Sequence, residues 1–247
     1  MDRLLYVAMT GAKQSFSTQA IIAHNIANTN TTGFRGDLYV MLSRPIWGPG
    51  HPTRVNALAG QGGWNRALGA QQSTGRDLDV AIRGEGFIAV QAQDGSEAYT
   101  RAGDLQVDAE GRLLTSSGHP VLGEQGPIIV PDNTAVEIGI DGTISVVAQG
   151  QGPETLGAVE RIRLVRPDPA RLTKGPDGLL RLPAGETAAG DAAVELSSGS
   201  IEASNVSIPE AMVDMILVAR HYETQVRLMN VVDENAGATQ RLLGQAG

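Results

Sequence analysis

The feature that most constrains the fold is a long helical pattern near the C-terminal end of the chain, from Ser207 to Leu243. Apolar or small residues recur there every seven positions, with a second row three or four positions later, as in a coiled-coil helix. The first row is Ile208, Met215, Tyr222, Met229, Ala236 and Leu243, and the second is Ala211/Met212, Val218/Ala219, Val226 and Val232. A continuous helix here would have roughly 36 residues and a length of about 54 Å. Because it could not bury this stripe alone, it needs a partner helix.

The partner is predicted at the opposite end of the chain, where residues 2–28 have the other long helical pattern. One broad side of this helix is apolar, with Leu5, Met9, Ala12, Phe16, Ala20, Ala23 and Ala27 joined by Ile22 and Ile26. Its formal charges are limited to Asp2, Arg3 and Lys13, so the opposite side is polar but neutral. A neutral polar side favours packing against other protein, where an isolated charge would be costly. An ordinary domain helix with a weakly charged surface is the alternative.

The middle of the chain has the pattern of an antiparallel β domain over residues 77–203. Short apolar runs alternate there with turn signals such as Asp94-Gly95, Asp141-Gly142 and Asp177-Gly178. The Gly84-Glu85-Gly86 segment lacks the spacing of a phosphate-binding loop and is predicted to be a bend between strands. Residues 34–76, with frequent glycine and proline, are predicted to be either a connecting segment or an extended hairpin.

Composition excludes several classes of function. The chain has 19 Lys and Arg against 27 Asp and Glu, a net charge of −8, which argues against a nucleic-acid surface. It has no cysteine, so neither a disulfide nor a thiolate metal site is possible. No run approaches the roughly 18 apolar residues of a membrane span, and residues 1–28 lack the pattern of a secretory signal. We therefore expect a protein that does not span a membrane and that is cytoplasmic or is exported without cleavage.

No set of residues predicts an active site, and we expect no catalytic residues, no cofactor, no small-molecule substrate and no metal. The four histidines, His24, His51, His119 and His221, are far apart and form no zinc-binding pair. Asp77 and Asp79 flank Leu78 and would lie on one face of a strand, like the paired acids of a glycoside hydrolase. Because they adjoin turn residues, we interpret them as structural. A secreted β-domain hydrolase of cell-wall glycan is the alternative from another class, and a tail-tube or adhesin-like assembly protein is a third.

Several motifs resemble those of the flagellar basal-body rod and hook family. Ala23-His24-Asn25-Ile26-Ala27-Asn28 forms an A-x-N-[LI]-A-N core, and Thr31-Thr32-Gly33-Phe34 follows as T-x-G-[FY]. His24 departs from relatives, which generally have a small or polar residue at that position. The segments 78–87, 99–103, 118–123 and 199–206 are similar to the family's β core and to the lead-in to its C-terminal helix. The resemblance covers nearly the full chain and is weakest over residues 35–76 and 148–195.

The resemblance implies a structural subunit of the proximal flagellar rod. Such a subunit self-assembles with copies of itself and with other rod proteins into a helical shaft that transmits torque across the periplasm. It also implies export through the flagellar type III apparatus without a cleaved signal peptide. A distal rod or hook-type protein of the same family is the nearest alternative.

The predicted fold is therefore α+β, with long N- and C-terminal helices paired as a coiled-coil-like α domain and an antiparallel β domain inserted between them. Residues 1–33 and 204–247 would form the helical rod core domain, residues 34–76 the connecting segment, and residues 77–203 the β domain. The expected assembly interface lies on the two helices and on the turn after the first one. It comprises Leu5, Met9, Ala12, Phe16, Ala23, Asn25, Ile26, Asn28, Gly33, Phe34, Ile208, Met212, Met215, Ala219, Tyr222, Val226, Met229, Val232, Ala236 and Leu243.

Overall fold

The computed structural model describes residues 2–45, 55–131, 134–148 and 157–245, and it shows an α+β protein. Within these ranges a long helix lies at each end and the strands lie between them. The elements in chain order are α1 (Asp2–Ala27), β1 (Asp37–Pro45), β2 (Val55–Trp64), β3 (Gln71–Ser73), β4 (Val80–Arg83), β5 (Phe87–Gln91), β6 (Glu97–Thr100), β7 (Leu105–Val107), β8 (Leu113–Thr115), β9 (Thr134–Ile138), β10 (Thr143–Ala148), β11 (Gly157–Arg161), β12 (Leu164–Val165), β13 (Thr173–Lys174), β14 (Leu180–Arg181), β15 (Glu195–Ser198), β16 (Ser200–Glu202) and α2 (Ile208–Gln245).

Both predicted long helices are present. α1 ends one residue before the predicted end at Asn28, and α2 has 38 residues, close to the predicted length. Gly237 lies within α2 without ending it. A single glycine inside an α-helix costs about 1 kcal/mol relative to alanine, which a helix of this length tolerates.

The chain divides into two compact units. The helical unit contains Met1–Ala27, Asp37–Trp64 and Ser207–Gly247, and the β unit contains Asn28–Gly36 and Asn65–Val206. These limits differ from the predicted domain limits, which joined residues 28–33 to the helices and made residues 34–76 a separate segment. The hairpin of β1 and β2 lies in the helical unit because its strands contact α1.

β1 and β2 pair antiparallel, with Tyr39 opposite Gln61 and Pro45 opposite Val55. Of the two alternatives for residues 34–76, the structure therefore contains the extended hairpin. Residues 46–54, which connect the two strands, lie outside the described residues. The register shifts between Asp37 and Tyr39, at the start of the hairpin.

The strand pairings of the β unit are antiparallel throughout the described residues, as the turn signals predict. The largest described sheet has the order β12-β5-β6-β14-β13, and a second has the order β11-β10-β9. The remaining strands pair as β15 with β4, β16 with β3, and β7 with β8. Gly84-Glu85-Gly86 is a bend that joins β4 to β5, as predicted.

The core of the β unit is a cluster of buried aliphatic side chains contributed by most of these strands. Its members include Val80, Ile82, Ile88, Val90, Leu105, Leu113, Val121, Ile128, Ile138, Ile144, Ile162, Leu164 and Leu196. Each fully buried side chain of this size contributes about 1.5–3 kcal/mol to folding relative to an exposed one. The β unit therefore has the apolar core of an independently folded domain.

Tyr99 in β6 is the largest fully buried side chain among the described residues of the β unit. Its hydroxyl donates a hydrogen bond to Glu97 Oε1 at 2.8 Å and accepts one from the amide of Ala188 at 2.7 Å. Burial, which disfavours the phenolate, raises the pKa of Tyr99 to about 12.

This pKa predicts a loss of stability at alkaline pH. Because an unfolded tyrosine has a pKa of about 10, Tyr99 contributes fully below pH 10 and its contribution is lost as the pH rises toward 12. The free energy of unfolding should fall across this window by at most about 1.4 kcal/mol per pH unit.

Urea unfolding at several pH values measures this fall in the free energy of unfolding. Tyr99→Phe is the control, because the pH-dependent difference between the two proteins should disappear below pH 10. An identical alkaline profile for the two proteins would contradict the expectation.

Candidate assembly surface

α1 and α2 run antiparallel within the helical unit. Ser15 Oγ lies 3.0 Å from His221 Nδ1, and a β-carbon at Gly11 would lie 3.1 Å from Gln225 Cδ. Residue numbers therefore rise along one helix as they fall along the other. Ser15 also donates a hydrogen bond to the carbonyl of Gly11 at 3.1 Å, which satisfies its buried hydroxyl. Small residues on α1 allow the two helices to approach closely.

The side of α1 that faces inward agrees with the predicted apolar side only at Ala12 and Ile22. Among the described side chains of α1, the buried ones are Ala8, Gly11, Ala12, Ser15, Thr18 and Ile22, which are mostly small or polar. Leu5, Tyr6, Met9 and Phe16 are exposed, and Phe16 is 67% exposed. A side of small residues that includes the polar Ser15 and Thr18 thus packs within the chain itself, whereas Leu5, Tyr6, Met9 and Phe16 face outward. The physical reason is that small side chains permit a closer helix–helix contact than Phe or Met would.

α2 carries an inward stripe and an outward apolar surface. Ala211, Val218 and Val232 are buried, and Met215, Ala219, Val226, Met229 and Ala236 are half-buried. On the outward surface, Met212, Val213, Ile216 and Leu217 are all more than half exposed. Positions i, i+1, i+4 and i+5 lie on one side of a helix, so these four side chains form one continuous apolar surface. A contiguous exposed apolar patch of this kind is typical of a surface that contacts another protein or a membrane.

The predicted interface residues along the two helices therefore fall into three groups, which are exposed, half-buried and buried. Leu5, Met9, Phe16, Ala23, Ile208, Met212 and Tyr222 are exposed, whereas Ala12 and Val232 are buried within the helical unit. Met215, Ala219, Val226, Met229 and Ala236 are half-buried between these extremes, and the side chain of Leu243 lies outside the described residues. Val213, Ile216 and Leu217 belong to the exposed surface but not to the predicted set. A helical wheel centred on Met212 would have found them.

The predicted interface residues at the end of α1 are engaged within the chain. Asn25 accepts a hydrogen bond from the backbone amide of Asp37 at 2.8 Å and donates one to its carbonyl at 2.9 Å. His24 Nδ1 lies 2.9 Å from Asp37 Oδ2. Asn28 accepts a hydrogen bond from the Thr31 hydroxyl, at 3.2 Å, in the turn that follows α1. Ile26 is half-buried. Asn25 and His24 thus tie the last turn of α1 to the start of β1.

Gly33 and Phe34, also predicted at the interface, lie in the β unit. Gly33 has a φ of +66°, and a β-carbon there would lie 2.2 Å from the carbonyl carbon of Arg101. The Phe34 ring is buried, and Lys174 Nζ lies 4.0 Å from its centroid. Both residues therefore have structural roles inside the β unit. Glycine is needed at position 33 because of its positive φ and the close approach of Arg101, and the aromatic ring of Phe34 contacts the Lys174 ammonium group.

The acids considered for catalysis do not form a pair. Asp77 is exposed in a turn, whereas Asp79 is buried just before β4. The carboxylate of Asp79 accepts a hydrogen bond from Thr74 Oγ1 at 2.7 Å and lies 3.2 Å from Arg76 Nη2. The expectation that the two aspartates share one strand face is wrong, because the strand begins only at Val80. Asp79 instead stabilises the turn that precedes β4 through its contacts with Thr74 and Arg76.

The described histidines also lie apart. His24 contacts Asp37, His221 contacts Ser15, and His119 is buried beside Thr115. His51 lies outside the described residues. Within the described ranges, no three His, Asp or Glu side chains come together as a metal site requires. In the same ranges, neither helix has both the length and the hydropathy to cross a membrane.

Comparison with known families accounts for this combination of exposed helices and a β unit without a catalytic arrangement among its described residues. Residues 5–35 match the family described as flagella basal body rod protein, and residues 197–242 match the flagellar basal body rod FlgEFG protein C-terminal family. Residues 81–146 match the flagellar hook protein FlgE/F/G D1 domain. The three matches cover most of α1, most of α2 and part of the β unit, and all three families are of flagellar rod or hook proteins.

The sequence similarity to individual relatives extends over the full chain. The flagellar basal-body rod protein FlgF of Escherichia coli (strain K12) is 41% identical over 252 residues, which cover 100% of both chains. FlgF of Salmonella typhimurium (strain LT2) has the same identity and coverage. FlgG of Borreliella burgdorferi is 32% identical over 270 residues, 99% of this chain and 100% of that protein.

The chain therefore belongs to the flagellar basal-body rod proteins, which are structural subunits and not enzymes. Within that family it is most like FlgF, to which the similarity extends from end to end. The resemblance inferred from the motifs at residues 23–34 is confirmed, and so is the absence of an enzymatic role.

Proposed function

We propose that this rod subunit occupies the proximal rod, where it assembles with copies of itself and with other rod proteins into a helical shaft. The shaft transmits torque across the periplasm. The proposal depends on one observation: large apolar side chains of both helices, among them Phe16, Met212 and Leu217, face outward. Contacts between different patches of identical subunits build a helix of subunits when the rotation between neighbours does not close into a ring.

The helices are proposed to form the rod core domain, residues 1–33 and 204–247, as an antiparallel coiled-coil-like pair. Support comes from the buried positions Ala211, Val218 and Val232 of α2, which are seven and fourteen residues apart, the heptad spacing. Residues 34–76 connect this domain to the inserted antiparallel β domain, residues 77–203. The assembly interface consists of the exposed predicted residues together with Val213, Ile216 and Leu217.

The subunit is further proposed to reach the rod through the flagellar type III export apparatus without a cleaved signal peptide. One alternative is open to test: a distal rod or hook-type protein of the same family. Purified basal bodies carrying a label in the β unit, for example at the exposed Ala109, distinguish it from a proximal rod protein. Electron microscopy should show the label at the membrane-proximal end of the rod. Label at the distal end or on the hook would contradict the proximal assignment.

Limited proteolysis of the dilute monomer is expected to remove the terminal helices first. The outward side chains of α1 and α2 lack the subunit contacts of the rod, so both helices should open locally more often than the β core. Trypsin should cut near Lys13, Arg220 and Arg227, and a fragment containing β4 to β16 should persist. Mass spectrometry of a digestion time course measures this order. Equal resistance of both helices and the β unit would contradict the expectation.

A further inference from the structure

The two segments through which the β unit is joined to the helices in sequence are bonded to each other. The Gly33 amide donates to the carbonyl of Glu202 at 2.7 Å, and the Asn205 amide donates to the carbonyl of Phe34 at 3.3 Å. The Gly36 amide donates to Asn205 Oδ1 at 2.8 Å. Residues 33–36, which follow α1, are therefore hydrogen-bonded directly to residues 202–205, which precede α2.

A buried group of charges reinforces this junction. Glu202 is 1% exposed and lies between two arginines, with Arg35 Nη2 2.7 Å from its Oε1 and Arg101 Nε 2.6 Å from its Oε2. The side chains of Arg35 and Arg101 are 5% and 3% exposed. Arg101 also donates to the carbonyls of Gly86 at 2.7 Å and Gly84 at 2.9 Å. The excess positive charge is thus distributed over backbone oxygens, and both arginines share the carboxylate of Glu202.

Burial lowers the pKa of Arg35, and the nearby charge of Glu202 opposes this shift. Removing the carboxylate would leave two guanidinium groups buried beside each other without this counter-charge. Breaking a buried ion pair in this way is far more costly than losing an exposed one.

A third segment joins the same group. Asn205 Nδ2 donates to the carbonyls of Asn65 at 3.0 Å and Ala67 at 2.8 Å, and Arg35 also donates to Ala67. The Gly69 amide donates to Glu202 Oε1 at 2.8 Å. The β unit has four chain ends, at Asn28, Gly36, Asn65 and Val206. Gly36 and Asn65 are hydrogen-bonded to Asn205, and Val206 is the next residue along the chain.

We propose that Arg35, Arg101, Glu202 and Asn205 form a latch that carries tension between the chain ends of the β unit. A pull applied at residues 28 and 206 acts first on the bonds between residues 33–36 and 202–205. The strands of the apolar core are loaded only after the latch opens. The inference rests on the proposed mechanical function for its biological meaning, but the latch itself is a property of the single chain.

The test pulls the full-length chain in an optical trap. The protein has no cysteine, so handles attach only at introduced ones. One double-cysteine variant, called the 30–206 variant, carries Asn30→Cys and Val206→Cys, which span the latch. The other, called the 93–109 variant, carries Gln93→Cys and Ala109→Cys, at exposed turns of the β unit that do not span it. Glu202→Gln is compared with the parent sequence in both backgrounds.

At fixed force, Glu202→Gln should open the 30–206 variant about 10- to 100-fold faster, the size expected for lost bonds to a charged group. The opening rate of the 93–109 variant should change less than about threefold, since its pulling points do not load the bonds to Glu202 first.

Native-state hydrogen exchange gives an independent readout: after the Glu202→Gln substitution, the Gly33 and Gly69 amides should exchange about 10- to 100-fold faster.

Equal effects on the 30–206 and 93–109 variants would overturn the proposal, because Glu202 would then contribute only to global stability. No effect on the 30–206 variant would also overturn it. If Glu202→Gln does not fold, Asn205→Ala provides the same comparison, because it removes three hydrogen bonds without leaving buried guanidinium groups unpaired. Failure of the latch would leave the rod role intact, since neither measurement involves assembly, and failure to assemble would not affect either readout.

Discussion

Aspartate in place of Leu217 should abolish rod assembly while the monomer stays folded. Leu217 is 57% exposed on α2, so the substitution costs the isolated chain at most about 0.5 kcal/mol. In the proposed assembly the same side chain is buried, and its burial contributes about 1.5–3 kcal/mol. An unpaired carboxylate at that position adds several kcal/mol more of desolvation cost. Because about 1.4 kcal/mol corresponds to a tenfold change in affinity, each contact should weaken by on the order of 100-fold or more.

The measurement is complementation of a bacterial strain that lacks this subunit, with rods counted by electron microscopy and swimming scored in soft agar. Asn230→Asp is the matched control, because it adds the same charge at an exposed polar position of α2. Phe16→Asp extends the test to α1, where the side chain is still more exposed. Circular dichroism of each purified monomer checks folding. Normal rods with Leu217→Asp, or loss of rods with Asn230→Asp, would contradict the proposed surface.

The two long helices could be predicted because their signal is local. Heptad spacing between Ile208 and Leu243 requires only neighbours on the same helix, and the structure places α2 within two residues of the predicted limits. The orientation of α1 could not be predicted in the same way. An apolar stripe shows that a side is buried somewhere, but not whether its own chain or another one covers it. Ser15 and Thr18 face inward and Phe16 faces outward, because helix contacts select for small size as well as for hydrophobicity.

The latch was not predicted because its members are distant in sequence. Arg35, Arg101 and Glu202 come from three separate segments, and no spacing rule connects them. A weak signal exists in the motifs themselves, since Arg101 closely follows the core residue Tyr99 and Glu202 follows Ile201 in a short strand. A charge in such a position requires a buried partner. The sequence can therefore indicate that a partner exists, but only the tertiary structure identifies it.

Gly103→Ala is expected to destabilise the β unit by about 3 kcal/mol or more, or to prevent its folding. A β-carbon at Gly103 would lie 1.7 Å from the carbonyl oxygen of Val80 and 2.8 Å from its carbonyl carbon. Both atoms belong to the backbone, so no side-chain rotation relieves the clash. The amide of Val80 also donates to the carbonyl of Gly103 at 2.8 Å, which prevents the two segments from separating without losing a hydrogen bond. Val80 is fully buried at the start of β4, so any displacement disturbs the core.

The matched control is Gly157→Ala at the start of β11, where the glycine is exposed and no described atom lies within 4 Å of the added carbon. This change should alter the free energy of unfolding by less than about 0.5 kcal/mol. Urea unfolding monitored by hydrogen exchange of β-unit peptides measures both variants separately from the helices. Equal stability of the two variants would show that the contact between Gly103 and Val80 is looser than the structure indicates. A selective loss for Gly103→Ala would show that the motif at residues 99–103 requires glycine because one backbone segment passes directly over another.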